Sequence, residues 1–140
     1  MSKIIYNADL LKIMSLFETI TRTGIKDCFI DDNSLLTFVV NDFEIGKAIG
    51  KNASNVKRLE NMLKRKIKIV AFNSSPVQFV KNLIYPLTDV EVEQQGNIIL
   101  IKGHDTKTKG FLIGRDQSNI KNNINIMKKY FKEIETIKVI

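Results

Sequence analysis

A twelve-residue segment occurs twice in the chain, and this internal repeat constrains the fold more than any other feature of the sequence. The first copy, GKAIGKNASNVK, covers residues 46–57, and the second, GFLIGRDQSNIK, covers residues 110–121. Six of the twelve positions are identical, and two more are conservative replacements. Because 140 residues are enough for one average domain or two small ones, the repeat predicts two related domains, residues 1–73 and residues 74–140.

The residues around each copy predict the same order of elements, α-β-β-α-α-β. In the second half, Ser75 and Pro76 are typical of a helix start, and Gly96-Asn97 is typical of a hairpin turn. The β-rich runs IKIVAF and ETIKVI end the two halves. We therefore expect an α+β fold in which each domain has a three-stranded sheet with helices on one face. The connection between the halves is short, which predicts a compact, rigid pair.

The longer helix after each copy has an apolar face at helical spacing. In the first domain this face comprises Val56, Leu59, Met62 and Leu63. In the second domain it comprises Ile120, Ile124, Met127 and Phe131. Four apolar residues near the repeated turns are expected to be core rather than a surface that reads bases, namely Ile49, Val56, Ile113 and Ile120.

The positive charge of the chain lies mostly in the two repeated regions. The formal net charge is +7 at pH 7. Residues 45–70 contain eight Lys and Arg residues against one Glu, a charge of +7, and residues 102–132 contain eight against two Asp, a charge of +6. The remaining residues together carry −6. Such segregation is typical of a surface that binds a polyanion, and a uniformly basic surface would not produce it.

The helix-turn-helix order around Gly50 and Gly114 brings backbone N–H groups, the start of a helix and flanking cations together. This combination attracts phosphate. Each glycine allows a positive φ and lets a ligand approach without a Cβ in the way. Ser54 and Ser118 are predicted to cap the helices that follow, and Lys51 supplies a cation beside the first turn. Two such turns in one protein are suited to a nucleic-acid strand.

With IGKNASNVK and IGRDQSNIK between the second and third helices of each α-β-β-α-α-β unit, the chain resembles two type II KH domains. The close pairing of two such units is similar to that in the archaeal NusA-like transcription factors, and the resemblance covers almost the whole chain. In KH domains a GXXG loop clamps about four backbone nucleotides of a single strand beside a groove that reads the bases. The resemblance therefore implies a single-stranded RNA-binding factor in transcription termination or antitermination, with RNA polymerase as a further candidate partner.

Both loops depart from the GXXG pattern at their last position. The first loop is Gly50-Lys51-Asn52-Ala53, and the second loop is Gly114-Arg115-Asp116-Gln117. Ala53 is a small departure, whereas Gln117 is a larger one, and Asp116 places a negative charge where phosphate would approach. The first loop is therefore expected to make the better backbone contact. The second loop is expected to bind through cations at its edges, or only to orient the first.

The candidate RNA-binding residues are the loop residues and the polar residues beside them. In the first domain they are Lys47, Gly50, Lys51, Asn52, Ala53, Asn55, Lys57 and Arg58. In the second domain they are Lys107, Lys109, Gly114, Arg115, Asn119 and Lys121. Asn55 and Asn119 are assigned to ligand contact because they recur beside each loop, and an extension of the helix caps is the alternative.

Other function classes lack the residues that they need. Cys28 is the only cysteine, which excludes a disulfide within the chain, and His104 is the only histidine. The segment GKAIGKN has three residues between its glycines, and Asn52 follows Lys51 where a nucleotide-binding P-loop has Ser or Thr. No catalytic cluster suggests an enzyme, and no cofactor or metal is expected. No run is long enough to span a bilayer and no signal peptide is recognisable, which predicts a cytoplasmic protein.

A second hypothesis retains the fold and changes the partner. In it, the KH pair docks on RNA polymerase or a ribosomal surface through protein contacts and binds RNA weakly or not at all, since a fold does not settle a function. The segregated charge favours RNA. We expect the chain to be a monomer.

Overall fold

The computed structural model describes residues 7–140, so residues 1–6 of the predicted first domain lie outside the described part. The chain divides into a first unit, Met1–Phe72, and a second unit, Asn73–Ile140. Each unit contains one three-stranded sheet. The predicted order of elements, α-β-β-α-α-β, is confirmed in both units.

The first unit contains α1 Asn7–Thr21, β1 Asp27–Ile30, β2 Leu36–Asn41, a 3₁₀ turn Asp42–Glu44, α2 Ile45–Ile49, α3 Ser54–Leu63 and β3 Ile67–Phe72. Strand β2 lies in the middle, antiparallel to β1 and parallel to β3. Its first five residues are buried, as befits a strand with a neighbour on each side. The ring of Phe17 on α1 stacks on that of Phe38 on β2, with centroids 4.4 Å apart. This contact holds the first helix against the sheet.

The second unit contains α4 Pro76–Ile84, β4 Val90–Gln95, β5 Ile98–Gly103, α5 Thr106–Ile113, α6 Ser118–Lys128 and β6 Thr136–Val139. Strand β5 lies in the middle, antiparallel to β4 and parallel to β6. The predicted start of α4 is confirmed, because the Ser75 hydroxyl oxygen accepts the N–H of Gln78 and Pro76 is the first helical residue. The predicted hairpin turn at Gly96-Asn97 is confirmed as well, because Gln95 pairs with Ile98.

The apolar faces of the longer helices were predicted correctly except at a few positions. On α3, Leu59 is fully buried, but Met62 is 53% exposed, so its assignment to the core was wrong. At 100° per residue, Met62 lies well to the side of the line through Val56, Leu59 and Leu63. On α6, Met127 is buried as predicted, whereas Ile120 and Ile124 are half-buried and Phe131 is buried beyond the helix end.

Ile126 on α6 is also buried, although it lies outside the apolar face that was predicted from the sequence. Helix α6 packs against α4, α5 and β6, so more than one of its sides is covered. A prediction from a single apolar stripe therefore underestimates the number of α6 residues that are buried.

Candidate nucleic-acid interface

The first helix of each repeated segment ends at a glycine whose backbone conformation other residues avoid. Gly50 follows α2 with φ 79° and ψ 165°, and Gly114 follows α5 with φ 75° and ψ 172°. This region of backbone space is essentially restricted to glycine. The sequence prediction of a positive φ at both glycines is confirmed.

Close packing adds a second requirement for glycine at these positions. A Cβ on Gly50 would lie 2.7 Å from Ser54 Oγ, and a Cβ on Gly114 would lie 2.8 Å from the backbone nitrogen of Asn119. The backbone of each loop therefore passes directly against the start of the next helix.

The two loops have the same backbone conformation although their middle residues differ. Asn52 and Asp116 have φ/ψ of 55°/34° and 53°/32°. Ala53 and Gln117 follow with 59°/30° and 65°/20°, so each loop has two successive left-handed residues. The N–H of Ala53 donates to Gly50 O at 3.1 Å, and the N–H of Gln117 donates to Gly114 O at 3.2 Å.

The predicted serine caps are wrong. Ser54 and Ser118 have right-handed helical conformations and are the first residues of α3 and α6. The N-cap positions are Ala53 and Gln117, and neither helix has a side-chain cap hydrogen bond. The second left-handed residue of each loop occupies the N-cap position, so each serine is the first residue of its helix instead of its cap. The positive end of each helix dipole thus lies at a loop without a capping side chain over it.

Asn55 and Asn119 brace the loops from inside. Asn55 Nδ2 donates to the carbonyl oxygen of Lys47 at 3.1 Å, and Asn119 Nδ2 donates to the carbonyl oxygen of Phe111 at 2.8 Å. Each bond joins the start of the helix after the loop to the helix before it. The assignment of these residues to ligand contact stays a prediction, and the structure gives them a structural role that was not predicted from the sequence. Both asparagines follow their acceptor residue by eight positions, but this spacing alone does not identify a hydrogen bond across the loop.

Cationic side chains surround both loops. In the first unit, four are exposed: Lys47, Lys51, Lys57 and Arg58. In the second unit, Lys107, Arg115 and Lys121 are exposed, while Lys109 is half-buried with its stem against Gly103. Among the ion pairs formed within residues 7–140, none involves these eight side chains. Their charge is therefore available to an anionic ligand.

The four apolar residues near the loops lie between core and surface. Ile49, Val56, Ile113 and Ile120 are all half-buried, so the prediction that they are core holds only in part. Val56 packs against the core of the first unit. The exposed part of each side chain lies next to a cationic loop.

Reactive and metal-binding groups are sparse in the described part of the chain. Cys28 lies on β1, where burial raises the pKa of its thiol to about 12, so it is protonated at neutral pH. Within residues 7–140, no group of three or more His, Cys, Asp or Glu side chains is arranged to hold a metal ion. In the same range, no helix is both long enough and apolar enough to cross a membrane.

Comparison with known proteins identifies the family. The KH domain family matches residues 13–78. The probable transcription termination protein NusA of Methanococcus vannielii is 32% identical, over 94% of this chain and 76% of that protein. The chain belongs to the family of archaeal NusA-like KH proteins. The protein of the same name from Methanocaldococcus jannaschii is 29% identical, over 100% of this chain and 77% of that protein.

The fold agrees with this assignment. The crystal structure of APE1850 superimposes with a TM-score of 0.70 at 28% identity, covering 93% of this chain and 96% of that one. The expected fold class, an α+β chain with tandem KH-type domains, is confirmed. The chain is accordingly a member of an RNA-binding family.

Proposed function

We propose that this protein binds single-stranded RNA by holding the sugar-phosphate backbone at its two GXXG-like loops, and that it acts in transcription termination or antitermination. The archaeal relatives that match the chain are named probable transcription termination protein NusA, which supports the biological role. The KH family supports the ligand class. The loops themselves support the mode of contact.

The observation that carries the proposal is the near identity of the two loop backbones. Corresponding φ angles differ by at most 6° at Gly50/Gly114, Asn52/Asp116 and Ala53/Gln117. Two segments with different middle residues share a strained backbone that the braces from Asn55 and Asn119 maintain, which supports a role for the backbone itself in contacting the ligand. Phosphate is the ligand that uncapped helix starts and unpaired cations favour together.

In the first unit, Gly50 allows close approach of the ribose-phosphate chain and Lys51 contributes the nearest cation. Asn52 and Ala53 present backbone rather than bulky side chains. Lys47, Lys57 and Arg58 extend the positive surface, and Asn55 keeps the loop in shape. Every charged side chain among these residues of the first unit is cationic.

In the second unit, Gly114 and Arg115 repeat the first two positions, and Lys107, Lys109 and Lys121 provide further positive charge. Asp116 is exposed and opposes them. Its repulsion of a nearby phosphate costs up to about 1 kcal/mol in water. We therefore propose that the second loop contributes less affinity than the first. Asn119 supports it as Asn55 supports the first.

A protein-binding role for the second unit is the alternative, and the exposed Asp116 is the observation that favours it. A carboxylate at the tip of a cationic loop suits a basic protein surface such as one on RNA polymerase. In this case RNA affinity would depend on the first loop alone, and variants of the second loop would leave it unchanged.

Titration of the full chain with a randomised single-stranded RNA pool at several salt concentrations tests the proposal. Each phosphate contact adds about −0.7 to the slope of log affinity against log salt. Contacts at both loops predict a slope of several times that value. A slope near zero, or no measurable binding at low salt, would contradict the proposal.

A further inference from the structure

Two phenylalanine rings lie on the surface in the helical segments that lead into the loops. Phe43 is 80% exposed in the 3₁₀ turn before α2, and Phe111 is 56% exposed on α5. The core does not need them, because the neighbouring Ala48 and Leu112 fill the inner side of these helices and are buried. An exposed aromatic ring beside a binding loop requires another explanation.

When the two copies of the repeat are aligned, each ring occupies the position that a lysine has in the other unit. With the offset of 64 residues, Phe43 corresponds to Lys107 and Lys47 corresponds to Phe111. In each unit the ring and the lysine are four residues apart, and in the second unit, where both lie on α5, they are neighbours on one helical face. Each unit thus has one exposed ring and one exposed cation before its loop, in opposite order.

Phe111 is the ring nearer to its loop. Its carbonyl oxygen accepts the hydrogen bond from Asn119 that braces the second loop. Lys107 precedes it by four residues and Arg115 follows it by four, and both of these cations are exposed. Neither forms an ion pair within residues 7–140, although the carboxylate of Asp105 lies near enough to Lys107 to interact with its charge.

The chemistry of this surface selects among possible occupants. Exposed cations four positions before and four positions after an exposed ring favour a ligand that carries negative charge at short intervals and a flat π face between the charges. Single-stranded RNA has that pattern, because an unpaired base lies between successive phosphates, and stacking on aromatic side chains is a general means of binding single strands. An acidic protein segment satisfies the cations but offers no regular π face.

We propose that Phe111 stacks on an unpaired base of the RNA held at the second loop, with Phe43 as its counterpart one helical turn further from the first loop. This inference rests on the proposed function. It explains how the second loop retains affinity despite Asp116, since stacking does not depend on phosphate. Binding at the second unit is then less sensitive to salt than binding at the first and favours purines, which have the larger stacking surface.

Substitution Phe111→Leu in the full chain tests the stacking directly, because leucine keeps an apolar side chain with good helix propensity and removes the π face. Aromatic–base stacking corresponds to a loss of at least about fivefold in affinity when the ring is removed. We expect that loss for oligo(A), a smaller one for oligo(U), and an unchanged salt slope. Tyr85→Leu is the matched control, since Tyr85 is a 68% exposed aromatic residue after α4 in the same unit and is expected to have no effect.

Substitution Phe111→Trp provides an optical test, because the chain contains no tryptophan. Oligo(A) is expected to quench the emission of the new indole, whereas an abasic ribose-phosphate oligomer of equal length is not. Equal quenching by both oligomers, or full affinity of Phe111→Leu for oligo(A), would overturn the stacking inference and assign the ring to another partner such as a protein. If the parent chain itself shows no salt-dependent RNA binding, the proposed function fails as well, so the two failures are distinguishable.

Discussion

Asn119 Nδ2 donates a hydrogen bond to the carbonyl oxygen of Phe111 at 2.8 Å, and this bond joins the helix after the second loop to the helix before it. Asn55 makes the same bond to Lys47 in the first unit. Two loops with different sequences are thus braced by the same hydrogen bond. This brace holds the backbone in a conformation that Ala53 and Gln117 would not adopt by preference.

Removing this asparagine brace is expected to destabilise the unit that contains it. Asn55→Ala deletes one hydrogen bond and leaves the Lys47 carbonyl to water, so it should lower the free energy of unfolding by about 1 kcal/mol. Urea unfolding followed by circular dichroism measures the change. Asn61→Ala on the exposed side of α3 is the control, and it should change stability by less than about 0.5 kcal/mol. Equal effects of the two substitutions would contradict the bracing role.

Reversing the charge at the first loop is expected to weaken the binding of all single-stranded RNAs alike. Lys51→Glu removes one phosphate contact and adds a repulsion, which predicts a loss on the order of tenfold at low salt and a salt slope smaller by about 0.7. Fluorescence anisotropy with several RNA sequences measures both quantities. Lys12→Glu on α1 makes the same change in net charge outside the repeated segment. If it weakens binding as much as Lys51→Glu does, the contact is not at the loop.

Neutralising the acidic residue of the second loop is expected to strengthen RNA binding. Asp116→Asn removes a repulsion of up to about 1 kcal/mol, so affinity at low salt should rise by up to about fivefold. The gain should shrink at high salt because exposed charges are screened. Glu133→Gln, at an exposed site after α6, is the matched neutralisation and should have little effect. A loss of affinity in Asp116→Asn would show that the carboxylate itself contributes to binding.

Restoring the last glycine of the GXXG pattern is expected to stabilise the fold. Gln117 has φ 65°, a left-handed conformation that costs a non-glycine residue about 1–2 kcal/mol. Part of the gain in Gln117→Gly is offset by the flexibility of glycine in the unfolded chain, which leaves about 0.5–1 kcal/mol. Thermal unfolding measures it. The neighbouring Ser118→Gly is the control, because Ser118 has a right-handed helical conformation and glycine there should destabilise.

Asp105 is the N-cap of α5, and it is expected to make the free energy of unfolding depend on pH in the acidic range. Hydrogen bonds from Thr108, above all from its backbone N–H at 2.7 Å, hold the pKa of Asp105 below its ordinary value of 3.8. The contribution of this cap is therefore fully present above pH 3.8 and is lost as the pH falls through the lower folded-state pKa. Urea unfolding should show a difference between the parent and Asp105→Ala that disappears in this acidic range.

Ser75 caps α4 with a hydroxyl that does not titrate in this range, which makes Ser75→Ala the control for the pH experiment. The difference between the parent and Ser75→Ala should be constant with pH. If the Asp105 difference is equally constant, its carboxylate charge does not matter to the cap.

The sequence predicted those features of the candidate site that depend on local backbone preference. The two glycines with positive φ were identified because the repeated motif requires them and glycine alone tolerates the conformation. The successive left-handed residues could not be predicted, because neither alanine nor glutamine prefers that region. The serine caps were misplaced by one residue for this reason.

What the sequence alone determined about this protein is the order of its elements and the location of its positive charge along the chain. Helical and strand periodicity, Pro76 at a helix start and Gly96 in a turn act over a few residues, so they can be recognised in the chain itself. The tertiary structure decided the strand order, the exposure of Met62 and Phe111, and the brace from Asn119 to Phe111. These depend on which surfaces meet across the fold, and contacts between elements are not encoded in the spacing of neighbouring residues.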